Sequence, residues 1–147
     1  MGTALDRATE LSQAIIDLAA LRGIELPTTQ IVQAGTPVIG SCGLIIAAAS
    51  IAPLVNYDAT LMSRCAPPQR ANIVGAISRE YEVTDEAGID DPVRLAAASA
   101  LMQEDGDLLW SAVWEVDAYL GPDSIAVDWN ITGGLIISSV SYLVGVK

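Results

Sequence analysis

Sixteen consecutive residues without a charge, GSCGLIIAAASIAPLV at 40–55, limit what this chain can fold into more than any other stretch. A segment this apolar is a membrane span, a signal core or the centre of a fold. A spanning helix needs about 20 apolar residues. The apolar part here, 44–55, holds roughly a dozen, and Pro53 interrupts it. The N-terminus shows no basic region followed by an apolar one, so no secretory signal is read. The other long apolar run, at 131–146, carries Gly133, Gly134, Ser138, Ser139, Ser141 and Gly145, which favours strand over a lipid-facing helix. The run at 40–55 therefore reads as the middle of a soluble sheet. Ile45, Ile46 and Ile51 are β-branched, and glycine precedes and proline follows them. The sequence predicts a strand over 41–52, covered on both faces.

Around that strand the chain alternates its periods. Leu5, Ala8, Leu11, Ile15, Leu18 and Leu21 recur at three- and four-residue steps, which predicts an amphipathic helix over 5–22. Thr3 and Asp6 are spaced as a capping box, and Gly23 is placed to end the helix. ELPTTQIVQAGTPVIGSCG is punctuated by Pro27, Gly35, Pro37, Gly40 and Gly43 and reads mostly as loop. In RANIVGAISREYEV, Ile73, Ile77, Tyr81 and Val83 oppose Asn72, Ser78, Glu80 and Glu82, a half-buried strand. Val74 and Ala76 break the polar face, so that end reads as covered. A long helix follows Asp91 and Pro92, with a kink or break at 104–107 around Gly106 and an end at Gly121 and Pro122. Ile125, Val127, Trp129 and Ile131 then alternate with polar or small residues. Gly133 and Gly134 supply a hairpin turn into a last strand bearing Ile136, Val140, Tyr142, Val144 and Val146. The order predicts an α+β fold in one domain over 1–147. Its sheet is four-stranded and mainly antiparallel, flanked by the N-terminal helix and a long helix between strands 2 and 3.

Composition narrows function by exclusion. Histidine, the commonest general base, does not occur in the chain. Cys42 and Cys65 form no zinc pattern and no C-x-x-C motif, and they read as reduced thiols or as one disulfide. No phosphate-binding loop and no nucleophile elbow is present. Two acidic clusters, one of Asp85, Glu86, Asp90 and Asp91 and one of Glu104, Asp105 and Asp107, do not match a calcium loop and read as solvated. Trp110 and Trp114 share a helix face and, like Trp129, read as packing residues, with ligand stacking as the alternative. The expectation is a protein that is not an enzyme and holds no cofactor or metal. The net charge of −11 argues against nucleic-acid affinity, which depends on Lys and Arg neutralising phosphates. The hydrophobic content of 52% and mean hydropathy of +0.44 call for a large core or for apolar surface buried against other chains.

Two segments carry a resemblance. One is the cysteine-bearing strand followed by CAPPQRANIVGAISREYEV; the other is the closing helix followed by VDWNITGGLIISSVSYLVGV. Their order, and the Cys-Pro-Arg opening of the second strand, resemble tail terminator proteins of long-tailed bacteriophages, especially those of actinobacterial hosts. The likeness covers about 42–146. Members often have more cysteines and a glycine-richer final turn, where this chain has Gly133 and Gly134 and no cysteine. The resemblance implies a virion structural protein, assembled in the host cytoplasm and located in the tail or neck. It would form a ring, usually a hexamer, on the last ring of the tail tube protein. That ring would end tube polymerisation and present a surface to the head connector, while DNA passes through without specific binding. Under that reading, some of Asp85, Glu86, Asp90 and Asp91, which crowd one predicted loop, project toward the lumen or the tube-facing rim. The alternatives are another neck or tail ring protein, either a head-completion protein or a tube subunit, and a small cytosolic ligand-binding domain lined by its tryptophans.

Overall fold

Thr3 starts the first helix. Its hydroxyl accepts a hydrogen bond from the Asp6 amide at 3.1 Å, and the Asp6 carboxylate accepts one from the Thr3 amide at 3.0 Å. This reciprocal box satisfies donors that a helix start otherwise leaves open. The resulting α1, Ala4–Arg22, ends at Gly23, whose φ of 67° suits a residue without a Cβ. The computed structural model describes residues 3–53, 69–81, 92–116, 121, 124–132 and 134–146. The elements after α1 are β1 (Gln30–Ala34), β2 (Gly43–Pro53), β3 (Gln69–Glu80), α2 (Pro92–Glu115), β4 (Ala126–Thr132) and β5 (Leu135–Val146).

The class is α+β, but the sheet has five strands in the order β1-β2-β3-β5-β4. It is mixed, with β1 parallel to β2 and every other pairing antiparallel. This corrects the four-stranded expectation. The added strand, QIVQA, sits inside the segment read as loop. Five residues between proline and glycine are too few to show a period. Its ladder comes from Leu44 to Ala48 of β2, a partner that local sequence does not reveal. The long helix accordingly lies between the third and fourth strands in chain order.

Both helices cover one face of the sheet. The first lies over β1, β2 and β3, and α2 lies over β5 and β4. Leu11 and Ile15 of α1 meet Leu44, Ile46, Ile73 and Ile77 of the sheet. Leu108, Leu109 and Val113 of α2 complete the core against Val140 and Tyr142. Gly75 lets α1 settle closely: a Cβ there would lie 3.1 Å from both the Leu11 and Ile46 side chains. On the opposite face, Ala76, Leu135 and Ile137 cluster with Ile39 and Cys42, and Ile45 and Ala47 are also buried. Strand β2 is thus covered on both faces from Gly43 to Ala48, whereas Ser50 and Ile51 further along are exposed, so the expected cover holds for its first half only. The covered end predicted around Ala76 is present as well.

Three local expectations need correction. Leu5 and Leu21 of the α1 stripe are exposed at 45% and 83%. The step from Leu18 to Leu21 carries the side chain round the helix, and Ala19 takes the buried place. Ser78, assigned to the polar face, is buried and donates to the Ser41 carbonyl at 2.5 Å. Helix α2 runs unbroken through 104–107 and ends at Glu115, ahead of Gly121 and Pro122. Its glycine serves contact rather than a kink. The proposed capping residue Asp91 lies outside the described residues.

Candidate assembly surface

The structure separates the three tryptophans from the core. Trp129, on β4, is half-exposed and packs closely against α2 at Gly106. A Cβ on Gly106 would stand 2.7 Å from the indole, so only glycine admits this approach. The indole Nε1 donates to the Met102 carbonyl at 2.7 Å, and the buried Ser138 hydroxyl donates to the same oxygen at 3.1 Å. Two strands are thereby fastened to one point on α2. Trp110 and Trp114 follow Gly106 at four-residue steps, so they continue the side of the helix that Trp129 touches. Their rings meet edge to face with centroids 6.0 Å apart. They are 39% and 43% exposed, contrary to the expectation that they fill a core.

The second acidic cluster also resolves differently from the sequence reading. Glu104 and Asp107 are exposed, but Asp105 is helical and buried. Its carboxylate accepts from Arg79 Nε at 2.8 Å and Nη2 at 3.0 Å, a bidentate pair between β3 and α2. The hydrogen bond to Asp105 is the main reason the Arg79 pKa lies above its ordinary value. This pair ties sheet to helix. Tyr142 is likewise a core residue, with its phenol pushed up by burial.

Among the described residues, open grooves occur beside both helices. Glu10, Gln13, Asp17 and Glu115 line a groove between the helices. Ser99, Met102, Gln103 and Trp129 surround a smaller cleft. Among the described residues, no group of three or more metal-ligating side chains gathers. No described helix is long and apolar enough to cross a membrane. Asp85, Glu86, Asp90 and Asp91 lie outside the described residues, as does Cys65. Cys42 is a half-buried free thiol.

What remains most distinctive is lateral. Strands β1 and β4 stand at the two ends of the sheet, each hydrogen-bonded on one side only among the described residues. Ile31 and Val32 on β1, and Trp129 and Ile131 on β4, are all exposed. Sequence reasoning missed this feature because β1 was not recognised as a strand. These elements define a two-layer α+β protein with exposed apolar side chains at both sheet edges. No protein-family model and no curated protein sequence matches the chain.

Proposed function

We propose that this chain is a structural ring protein of a long-tailed phage, a tail terminator that closes the tail tube. The observation that carries the reading is the placement of exposed apolar residues at both ends of one sheet, on a chain of net charge −11. Apolar edges favour association with neighbours, and an acidic surface suits a conduit that must let DNA slide. The order of elements, with its closing hairpin, supports the likeness described above. In this role the chain works by geometry and carries no catalytic group. Its partners are further copies of itself, the tail tube protein and the head connector, and its place is the virion neck.

Light scattering and negative-stain imaging, with and without purified tail tubes, test the reading. The expected result is a ring of about 92 kDa, six times 15.3 kDa, or density capping tube ends. A chain that polymerises alone into long tubes is a tube subunit instead. Neutralising Asp85, Glu86, Asp90 and Asp91 to Asn and Gln is expected to alter tail length or DNA passage. If both stay unchanged, those carboxylates do not face the lumen or the rim.

The cleft beside Trp129 favours a second reading, a small-ligand domain. A monomer that ignores tubes, with indole fluorescence that shifts on addition of metabolites, would select it.

A further inference from the structure

We propose that neighbouring copies join edge to edge, with β4 of one subunit pairing antiparallel to β1 of the next. The inference rests on the self-assembling part of the reading above and specifies how the contact is made.

Strand directions come first. Following the sheet from β1, the pairings are parallel, antiparallel, antiparallel and antiparallel, so β4 runs opposite to β1. A rotation about an axis along the strands preserves every strand direction and keeps all helices on one side. It therefore sets β4 against the next β1 in the antiparallel sense, with both open edges used by one contact. Such a head-to-tail contact repeats from copy to copy, and it closes into a ring when the rotation between copies divides the circle evenly.

Among the described residues, no strand pairs with the outer side of either edge. The bonds Leu44 N–H to Thr29 O and Gly35 N–H to Ala48 O fix the β1 ladder. In a parallel ladder, alternate residues bond to the partner, which turns the amides of Gln30, Val32 and Ala34 outward. On β4, Thr132 and Leu135 are the pair flanking the two-residue turn. That makes them a hydrogen-bonded pair and turns the amides of Val127, Trp129 and Ile131 outward. Neither strand carries the Lys or Pro that commonly blunts an edge, and both are largely exposed.

The helix layer matches. The flank of α1 turned away from α2 reads Leu5, Thr9, Ser12, Ile16 and Ala20, at three- and four-residue steps. The flank of α2 turned away from α1 reads Ser99, Gln103, Gly106, Trp110 and Trp114. Neither flank has a charge, although the chain has 18 acidic and 7 basic residues. Charge is depleted at the centre of interfaces, where tryptophan is enriched. Only a second copy is certain to present the opposite edge in the opposite direction with an uncharged flank above it. On the helix-facing side, Val32 of one copy would then join the row of Trp129 and Ile131 of the next, an aromatic and β-branched set.

Two proline variants test the contact. Val32→Pro and Ile131→Pro each remove an outward amide, a position where an edge strand tolerates proline. Circular dichroism checks that each remains folded. Wild type is expected to assemble and each variant alone to stay near 15.3 kDa. Mixed, the two variants retain one intact β4 and one intact β1, and should form a heterodimer of about 31 kDa, twice the chain mass. Variants that still form rings overturn the edge contact and leave the ring reading standing. A wild type that stays monomeric even on tubes overturns both. A wild-type ring that ignores tubes overturns the terminator role alone. Should a variant fail to fold, hydrogen exchange on the wild type decides. The Gln30, Val32 and Ala34 amides are expected to exchange at least tenfold more slowly in the assembly than in the dilute monomer; equal rates overturn the contact.

Discussion

Glycine in the interior of a helix ordinarily costs about 1 kcal/mol relative to alanine. At Gly106 the sign is expected to reverse, because a methyl there would meet the Trp129 ring at 2.7 Å. The Gly106→Ala variant should lose about 1–3 kcal/mol in urea unfolding, in line with other overpacked sites. Its indole emission should also move red as Trp129 is pushed off α2. A gain in stability would show that the ring gives way freely. Asp6 provides a second single-residue test. Hydrogen bonds from the Thr3 backbone and side chain hold its carboxyl below the ordinary value of 3.8. Its stabilising contribution is thus fully present above that value and is lost as pH falls through the lower folded one. The melting-temperature gap between wild type and Asp6→Asn should be constant near about pH 6 and close toward about pH 2. A gap that does not change with pH would assign the effect to something other than the carboxylate. The capping box was readable in the sequence because all its parts lie within four residues. The clasp of Trp129 on Gly106 was not, because its two halves are 23 residues apart and glycine in a helix reads first as weakness.

At the scale of elements, the sheet is joined to α2 by the pair of Arg79 and Asp105. Both oxygens of the carboxylate are engaged and Asp105 is 1% exposed, so this bond differs in kind from the exposed pair of Arg7 and Glu10. Asp105→Asn leaves a guanidinium short of its partner and is expected to cost about 2–4 kcal/mol. Arg79→Met should cost a similar amount, and the double variant clearly less than the sum of the two. Additive losses would mean that the residues act separately. The element pattern explains which parts of the fold sequence could supply. Long segments with one clear period, such as α1 and the closing hairpin, fall where their apolar residues put them. The β2 segment, apolar on every side, has no period, yet its glycine and proline bounds and its isoleucines identify it. Strand β1 has neither length nor period, and only its ladder on β2 makes it a strand. The buried place of Asp105 depends on Arg79, 26 residues earlier, and a run of three acids in four residues gives no hint of it.

At the scale of the molecule, charge opposes the assembly that the apolar edges favour. In the proposed ring, six copies at −11 each would total −66, and this repulsion would act across the whole assembly. The edge contact holds one charged side chain, Asp128 of β4, and β1 offers it no cation, so there is no ion pair for salt to weaken. Screening should therefore act almost wholly on the unfavourable term. The Debye length shrinks from about 30 Å at 0.01 M to about 8 Å at 0.15 M ionic strength. Over that range the assembled fraction at fixed concentration should rise. Lowering pH toward the isoelectric point near 4.1 should raise it as well, by removing the same charge. Sedimentation velocity across a salt series reads the result directly. An interface built on ion pairs would show the opposite slope, with rings dissociating as salt increases. A falling assembled fraction would therefore place the subunit contact on charged surface, away from the β1 and β4 edges and the uncharged helix flanks above them.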